Sequence, residues 1–414
     1  MSRQEKKENQ FVYAMRLLKN EGLIALTIRV LQKIQKMRHR STKHKKHLLL
    51  LGDMDDILAA DWSSKLPTQT KKKIKTPCTI AWVMSPPGES GGGHQNIFRF
   101  IKGLDDQGYT NHIYLYSTND HPKPELVKER IKGFYDLDLA NIEWLEAGQT
   151  IEKGEAVFAT GWETAYPVFN APADKKKFYF VQDFEPLFYP MGSEYVLAEN
   201  TYRLGLIGIT AGDWLAGKLK SDYGMECYSY NFGSEKQLYE HTNDGRRKEV
   251  FFYARPITPR RGFELGLMTL QKFHELNPDY TINLAGWDVS EYDIPFPYVN
   301  HKALKLGELS DLYNRCAAGL VISLTNMSLL PLELLACGTI PVVNDGQNNR
   351  TVSDNKYIRY AAPSPDALAR AMDEVVNAKD APEYAKKAAA SVRRNGWEAS
   401  VDKFVSTVEE KLHG

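Results

Sequence analysis

Short apolar runs alternate with amphipathic stretches from residue 78 to residue 345. The runs are rich in β-branched and aromatic residues, which predicts buried strands, and several of the intervening stretches have the 3.6-residue spacing of helices. Strands that alternate with helices indicate parallel sheets covered on both faces. The predicted strands are CTIAWVM (78–84), HIYLYS (112–117), EAVFATG (155–161), KFYFVQD (177–183), LIGITAG (206–212), VFFYARP (250–256), YTINLAGW (280–287), GLVISLT (319–325) and TIPVVND (339–345).

A polar joint, SEKQLYEHTNDGRRK (234–248), interrupts the alternation, which then restarts. A chain of 414 residues is too long for one compact core. We therefore predict an α/β protein with two Rossmann-like, doubly wound domains that face each other across a cleft. The first domain spans residues 77–240 and the second spans residues 241–395. Ligands of such open sheets bind at the carboxyl ends of the strands.

Residues 1–76 precede this pattern and are predicted to be a basic, α-helical N-terminal extension followed by a linker over 52–76. Residues 1–50 contain 13 Lys/Arg and 3 Asp/Glu, a balance of +10, although the whole chain has a net charge of +1. The spacing predicts an amphipathic helix over 9–38 that lies on an anionic membrane surface, pairs with a second copy, or packs on its own protein. The run RHRSTKHKKH (38–47) has no interleaved aromatic residues, so we expect no nucleic-acid partner.

The sequence also indicates a cellular compartment. It has no apolar run near the roughly 18 residues that a membrane span needs, and no signal-peptide pattern at its start. Its four cysteines are scattered, which favours reduced thiols over a disulfide framework or a zinc site. We expect a cytoplasmic protein, which would be peripheral at the inner face of the cell membrane if the N-terminal helix lies on lipid.

The glycine-rich loop SPPGESGGGHQ (85–95) lies between a predicted strand and a predicted helix. Glycines such as Gly92 and Gly93 let a ligand approach the backbone at a helix start. The GxGxxG spacing of dinucleotide-binding folds is absent, so a nicotinamide cofactor is not expected. The neighbouring His94 either contacts substrate or is an ordinary loop histidine. We place all three residues on the acceptor side of the cleft.

Two arginines and one glutamate are predicted at the same cleft from the second domain. Arg255 ends a strand and Arg261 starts a helix, a geometry that can hold a diphosphate, although both could be surface residues. Glu333 is the only acid of SLTNMSLLPLELLACGTIPVV (323–343), in the first turns of a helix whose dipole favours an ionised carboxylate. Such a carboxylate suits a sugar hydroxyl, unless it stabilises the helix alone.

The segment FVQDFEPLFYP (180–190) combines aromatic residues with two acids after a predicted strand. Aromatic faces beside carboxylates are common in sugar-binding sites, so Asp183 or Glu185 could orient an acceptor hydroxyl. A purely structural aromatic cluster is the alternative. The acids Asp136 and Asp138 follow a helical pattern rather than a strand, which indicates a solvated loop, and no catalytic metal is expected.

The glycine-rich loop, the two basic residues six positions apart and the pattern P-x-E-x-x-A-x-G-x-x-P-V-V (331–343) together resemble the retaining glycosyltransferases of the GT-B fold. The resemblance covers roughly residues 78–390. Members complete their acceptor domain with a last helix that crosses back, which 396–414 would supply, and they bind a nucleotide-sugar in the second domain. The resemblance implies that Arg255 and Arg261 hold the donor diphosphate and that Glu333 binds the ribose of the nucleotide.

Within that family, SLTNMSLLPLELLACGTIPVV and FVQDFEPLFYPMGSEYVLAENTYRLG (180–205) are similar to the rhamnan-synthesising rhamnosyltransferases of bacterial S-layer and surface glycans. Those enzymes use dTDP-β-L-rhamnose. The wider family has a second glutamate eight positions before the one matched by Glu333, and this chain has Thr325 there. Thr325 and Asn326 are therefore expected to contact a 6-deoxyhexose. Lys302 lies where relatives hold the nucleobase, and is predicted at the base or the phosphates, with a surface lysine as the alternative.

The resemblance thus implies a retaining transfer of L-rhamnose from dTDP to a growing rhamnan, which we expect to be lipid-linked, without cofactor or metal. Arg255, Arg261 and Asp183 are the predicted catalytic residues. Pairing of the N-terminal helix with a second copy would give a homodimer. Two other classes of function stay open. A nucleotide-sugar 2-epimerase has the same fold but needs carboxylates in the cleft, and a non-catalytic glycan-binding or membrane scaffold would bind sugar without nucleotide.

Overall fold

A computed structural model describes residues 51–60, 62–63, 69–88, 92–119, 121–139, 141–233, 238–327, 329–392 and 396–414. The chain from residue 50 onward forms one compact unit. The predicted amphipathic helix over 9–38 lies outside the described residues. Within the described part of the chain, no helix combines the length and the apolar character that crossing a membrane requires.

The first half of this unit is built on a parallel sheet of seven strands in the order β3-β2-β1-β4-β5-β6-β7. Its central strands are buried along nearly their whole length, as their continuous apolar sequences predict. The strand order reverses between β1 and β4, which opens a crevice at their carboxyl ends. The strands are β1 Thr79–Met84, β2 Thr110–Leu115, β3 Asn141–Trp144, β4 Ala156–Ala159, β5 Lys176–Val181, β6 Ile207–Ala211 and β7 Cys227–Tyr230.

The second half is built on a parallel sheet of six strands in the order β10-β9-β8-β11-β12-β13. Its order reverses between β8 and β11, so a second crevice opens there. Each sheet has one apolar cluster on either face, which is the layering of a doubly wound domain. The strands are β8 Glu249–Tyr253, β9 Thr281–Ala285, β10 Val299–Asn300, β11 Cys316–Val321, β12 Ile340–Asn344 and β13 Arg359–Ala361.

Helices connect the strands and cover both faces of each sheet. Helix α2 is typical of them, because Ile97, Ile101 and Leu104 recur at helical spacing and are buried against the first sheet. The described helices are α1 Met54–Ala59, α2 Gly92–Asp106, α3 Pro124–Tyr135, α4 Trp162–Asn170, α5 Ser193–Asn200, α6 Asp213–Tyr223, α7 Phe263–Leu276, α8 Leu306–Arg315, α9 Leu330–Ala336, α10 Gln347–Arg350, α11 Pro365–Val376, α12 Ala381–Val392 and α13 Glu398–His413.

The last helix, α13, packs on the first sheet although it follows the second domain in sequence. The ring of Phe404 is 4.8 Å from that of Phe100 and 6.3 Å from that of Trp82, between centroids. The Ile74 amide donates to the Leu412 carbonyl at 2.9 Å. Aromatic pairs at such distances add to the stabilisation from burial. The C-terminal helix therefore contributes to the apolar core of the first domain.

The region 52–76, predicted as a linker, differs from that expectation. Helix α1 lies within it and packs on the first domain, where Asp56 is buried and accepts a hydrogen bond from the Tyr116 hydroxyl at 2.9 Å. Farther along, the Gln69 side chain donates to the carbonyls of Lys177 and Gly205. Charged and other polar residues separate the few apolar ones in this region, so its buried contacts do not produce a periodic apolar pattern.

Candidate active site between the two sheets

A cavity of about 580 Å³ lies where the carboxyl ends of the two sheets face each other. Segments that follow β1, β4 and β5 line it from the first domain, and segments that follow β8 and β11 line it from the second. Both crevices created by the reversals of strand order therefore open into the same space. This is the place where open α/β sheets bind their ligands.

The second domain lines the cavity with three arginines from the turn after β8: Arg255, Arg260 and Arg261. Arg255 donates from Nη1 to the Tyr253 hydroxyl at 3.0 Å. Arg261 donates to the Ser323 hydroxyl, and burial lowers its pKa. An arginine remains protonated under such conditions, so this wall has positive charge available for an anionic ligand.

Arg260 is the third of these arginines and contacts the opposite wall. Its guanidinium carbon lies 4.0 Å from the centre of the Phe188 ring, and its Nε lies 3.5 Å from Oδ2 of Asp183. Burial lowers the pKa of Arg260, and the nearby Asp183 carboxylate opposes that change. The sequence prediction included the arginines on either side of the turn but not Arg260. Its position beside Arg261 was the available signal.

Glu333 lies in the first turn of α9, half-buried, and lines the same cavity from the second domain. The helix starts directly after the loop that follows β11, and Pro331 lies in its first turn, where a missing amide hydrogen costs nothing. The positive end of the helix dipole therefore faces the Glu333 carboxylate. The structure brings together Arg255, Arg261 and Glu333 in one cavity, as the sequence prediction requires.

Asp183 joins the two domains. Its Oδ2 accepts a hydrogen bond from the Thr325 hydroxyl at 2.8 Å, and its Oδ1 accepts one from the Asn326 amide at 2.7 Å. The Asn326 side chain donates to the carbonyls of Gln182 and Ala211, at 3.0 and 2.8 Å. All these contacts connect the first sheet to the loop after β11. Asp183, Thr325 and Asn326, which were expected at the acceptor hydroxyl or the donor sugar, bond here to one another.

The first domain lines the cavity with two further carboxylates, Glu163 and Glu185. Both oxygens of Glu185 accept from the protein: Oε2 from the Trp162 amide at 2.7 Å and Oε1 from the Tyr179 hydroxyl at 2.9 Å. Burial, together with the nearby charge of Glu163, raises the pKa of Glu185 to about 8. Burial also raises the pKa of Glu163. The expected acceptor-side residue Glu185 thus has its oxygens occupied by protein donors.

Glu163 was not among the predicted site residues. It lies in the segment ATGWETA (159–165), directly after β4, and a polar group at that position was the signal available. The segment contains a glycine, Gly161, which caps the helix start without contributing a side chain. The cavity wall of the first domain is therefore more acidic than the sequence prediction implied.

Of four other predicted site residues, two line the cavity and two do not. Gly92 and Gly93 start α2 and line the cavity. His94 does not line it; its ring nitrogen Nε2 is 3.0 Å from the Ser85 carbonyl, and burial lowers its pKa. Lys302 is exposed outside the cavity and its ammonium lies 3.1 Å from Asp288. The alternative of a surface lysine fits this position better than a contact to the nucleotide.

The two acids of the 136–138 loop lie on the surface. Asp138 pairs with the Lys132 ammonium at 2.7 Å, and both side chains are well exposed. Asp136 ends α3 in the left-handed conformation. In the described part of the chain, no group of three or more His, Cys, Asp or Glu side chains is arranged to hold a metal ion.

Comparisons with known proteins connect this architecture to glycan-building enzymes. The model of the WsaF C-terminal domain matches residues 248–373, and that of the WsaF N-terminal domain matches residues 144–210. The chain is 31% identical over 338 residues to the O-antigen biosynthesis protein RfbC of Myxococcus xanthus. That alignment covers 79% of this chain and 26% of RfbC, so the chain spans about a quarter of its relative's length.

Several solved structures have the same arrangement of domains. HepE of Anabaena, solved with UDP-glucose, has a TM-score of 0.61 at 13% identity, covering 80% of this chain and 99% of HepE. TarM has a TM-score of 0.62 at 8% identity, covering 82% and 99%. WaaG, a glycosyltransferase of lipopolysaccharide biosynthesis, has a TM-score of 0.55 at 11% identity, covering 80% and 99%. At such identities the likeness shows the fold alone.

The fold is GT-B: two parallel-sheet α/β domains with a cleft between them. This confirms the fold class that the sequence predicts for residues 77–395. The two family-model matches, taken with this fold and with the O-antigen relative, support a glycosyltransferase. The donor sugar, the acceptor and the stereochemistry belong to the proposal that follows.

Proposed function

We propose that the chain is a retaining glycosyltransferase that moves L-rhamnose from dTDP-β-L-rhamnose to a growing surface glycan. The observation that carries the proposal is the pair of opposed cavity walls, one with three arginines and the other with carboxylates and aromatic rings. A donor diphosphate fits the first wall by charge, and a sugar fits the second by hydrogen bonding and ring contacts. The sequence similarity to rhamnosyltransferases supplies the choice of sugar.

In this proposal the second domain binds the donor. Arg255 and Arg261 hold the diphosphate, and the Glu333 carboxylate accepts a hydrogen bond from the nucleoside sugar. When the bond between the sugar carbon and the phosphate oxygen breaks, negative charge grows on the diphosphate. Arginines fixed by Tyr253 and Ser323 stabilise that charge without having to reorganise. The acceptor hydroxyl forms the new bond, and its proton passes to the departing phosphate.

The test combines binding and transfer with the intact chain. Calorimetry against dTDP, UDP and GDP identifies the nucleotide, and incubation of each nucleotide-sugar with an octyl α-L-rhamnoside acceptor identifies the donor. We expect dTDP to bind most tightly, and NMR of the product to show an anomeric configuration equal to that of the donor. Transfer from UDP-glucose alone would refute the rhamnose assignment, and an inverted product would refute retention.

A nucleotide-sugar epimerase is the second candidate, because three carboxylates line the first-domain wall of the cavity: Glu163, Asp183 and Glu185. Proton abstraction at the sugar ring requires such groups. Asp183 and Glu185 accept hydrogen bonds from protein donors, so Glu163 would be the group that abstracts the proton. The two functions differ in their products. An epimerase converts a nucleotide-sugar without an acceptor and exchanges the ring hydrogen with deuterium from heavy water, whereas a transferase does neither.

The remaining parts of the proposal concern the surroundings of the enzyme. The balance of +10 over residues 1–50 suits an anionic membrane on the cytoplasmic side, where a lipid-linked rhamnan acceptor would be held. Alternatively, residues 1–50 pair with the same segment of a second copy and form a homodimer. We also propose that transfer needs neither metal nor cofactor. Activity should then persist in EDTA, and a loss that Mn²⁺ restores would contradict this part.

A further inference from the structure

Glu163 has hydrogen-bonding capacity that the protein does not use. It is the second residue of α4, directly after the carboxyl end of β4, and it lines the cavity. Its carboxylate receives a hydrogen bond from its own backbone amide. Within the described part of the chain, no other residue donates to it. A carboxylate has about four acceptor positions, so most of those on Glu163 are available to a ligand.

The neighbouring Glu185, in contrast, has both carboxylate oxygens occupied by protein donors. Its hydrogen bonds fix the backbone that carries Glu163. Glu185 accepts from the Trp162 amide and the Tyr179 hydroxyl, which fixes the start of α4 to the segment after β5. Trp162 in turn donates from its indole nitrogen to the Tyr189 hydroxyl at 2.9 Å. These bonds hold the backbone on which Glu163 stands, beside the Tyr189 ring that also lines the cavity.

Gly161 provides space for the Glu163 carboxylate. A Cβ atom added at Gly161 would lie 2.7 Å from both oxygens of Glu163, closer than such atoms approach in proteins. The backbone of Gly161 is extended, so other residues could adopt its conformation. A side chain at position 161 would therefore displace the Glu163 carboxylate from its present place without straining the backbone.

We propose that Glu163 is the residue that binds the acceptor, by accepting a hydrogen bond from a hydroxyl of a neutral sugar at its non-reducing end. This inference rests on the proposed transferase function and adds the residue that selects the acceptor. The Tyr189 ring offers an apolar face to the same sugar. The carboxylate of an acidic sugar next to that of Glu163 would place two like charges in contact, which is why the acceptor is assigned as neutral. Burial makes a hydrogen bond to Glu163 stronger than one in water.

The experiment measures acceptor KM and kcat with dTDP-rhamnose and octyl α-L-rhamnoside, and dTDP affinity by calorimetry. Glu163→Ala should raise the acceptor KM by about 10- to 100-fold, the range expected for a lost hydrogen bond to a charged group. Its dTDP affinity should stay within about twofold, because the donor lies on the other wall. Glu163→Gln retains one acceptor oxygen but not the charge, so it should recover part of the loss in acceptor KM.

Two further variants complete the design. Gly161→Ala should raise the acceptor KM without removing the carboxylate, and it keeps the inference testable if Glu163→Ala does not fold. Glu146→Ala, an exposed change in the same domain, is the control and should match the wild type. An acceptor KM within twofold of wild type in folded Glu163→Ala, or in Gly161→Ala if Glu163→Ala does not fold, overturns this inference and leaves the proposed function standing. A wild-type protein that binds no nucleotide and transfers no sugar removes the proposed function, and this inference with it.

Discussion

The two walls of the cavity are made in different ways. The arginine wall comes from one continuous stretch, the turn between β8 and α7, where Arg255, Arg260 and Arg261 lie within seven residues. The acidic wall joins Glu163, Asp183 and Glu185 from the ends of two strands that are adjacent in the sheet. Local sequence therefore determines the first wall, whereas the second depends on the packing of the sheet. Mutations of the arginine wall should accordingly affect donor binding, whereas mutations of Asp183 and Glu185 on the acidic wall should affect folding.

The largest effect is expected from the arginine wall. Arg255→Ala and Arg261→Ala should each lower kcat/KM by about 100-fold or more, equal to about 2.7 kcal/mol of transition-state stabilisation. The reason is the loss of charge beside the departing diphosphate. Steady-state kinetics measures this. Arg370→Ala, which removes an exposed arginine of the second domain, is the matched control. Near wild-type activity in both wall variants would place the diphosphate elsewhere.

The next effect should come from the carboxylate that joins the walls. Asp183→Asn keeps the shape but puts an amide opposite the donors of Thr325 and Asn326, and it removes the charge facing Arg260. We expect the free energy of unfolding to fall by about 1–3 kcal/mol, the cost of leaving a buried polar group unsatisfied. Urea unfolding measures it. Asp222→Asn, at an exposed position, should change little. An unchanged midpoint in Asp183→Asn would mean that the bridge adds no stability.

A smaller effect, dependent on pH, should come from Glu185. Its pKa is raised from 4.5 to about 8, first by burial and then by Glu163. Between those values the folded protein binds more protons than the unfolded chain, so its stability falls as pH rises from about 4.5 to about 8. Glu185→Gln mimics the protonated group and should lack this part of the decline.

The variant should therefore be close to wild type in stability at pH 5 and more stable than wild type at pH 9. Thermal unfolding over that pH range measures the difference, and Glu146→Gln serves as the exposed control. A stability difference between Glu185→Gln and wild type that does not change with pH would show that Glu185 titrates near its usual value.

The smallest effect on turnover should come from deleting residues 1–50, because both walls lie in the unit that begins at residue 50. We expect kcat/KM for a soluble acceptor to stay nearly unchanged, while salt-sensitive binding to anionic liposomes is lost. Each basic residue near such a surface contributes about 1 kcal/mol. Liposome flotation and sedimentation measure the result. A change from dimer to monomer, with no liposome binding by the intact chain, would make the segment a dimerisation element.

Much of the fold could be predicted because the central strands are buried on both faces and have continuous apolar sequences. Strands β1, β5, β8 and β11 are examples, and each lies where its run predicts. The strands that the sequence did not reveal are at sheet edges. β3 and β7 are only partly buried and contain polar residues, and β10 has two residues. An edge strand has little apolar pattern to detect, and its pairing depends on the neighbouring strand.

The sequence predicted the site residues that follow recognisable strands, but not the contacts between distant parts of the chain. Gly92, Arg255, Arg261 and Glu333 lie in the cavity wall because each follows a strand that could be recognised, although their roles in binding stay predictions. Three facts are non-local. The direction of Glu185 depends on Trp162 and Tyr179, and the bridge from Asp183 spans 142 residues to Thr325. The third fact is that no other residue in the described part of the chain donates a hydrogen bond to Glu163. Sequence spacing contains none of this information.

The return of α13 to the first sheet has a consequence for synthesis on the ribosome. Tyr109 bonds to Glu409, 300 residues later, and Phe404 packs on rings of the first sheet. The first domain therefore leaves the ribosome with part of its apolar core uncovered, and it waits while the whole second domain is made. At about 5–20 residues per second this interval lasts on the order of ten seconds or more. Chaperones have that interval in which to bind the exposed rings.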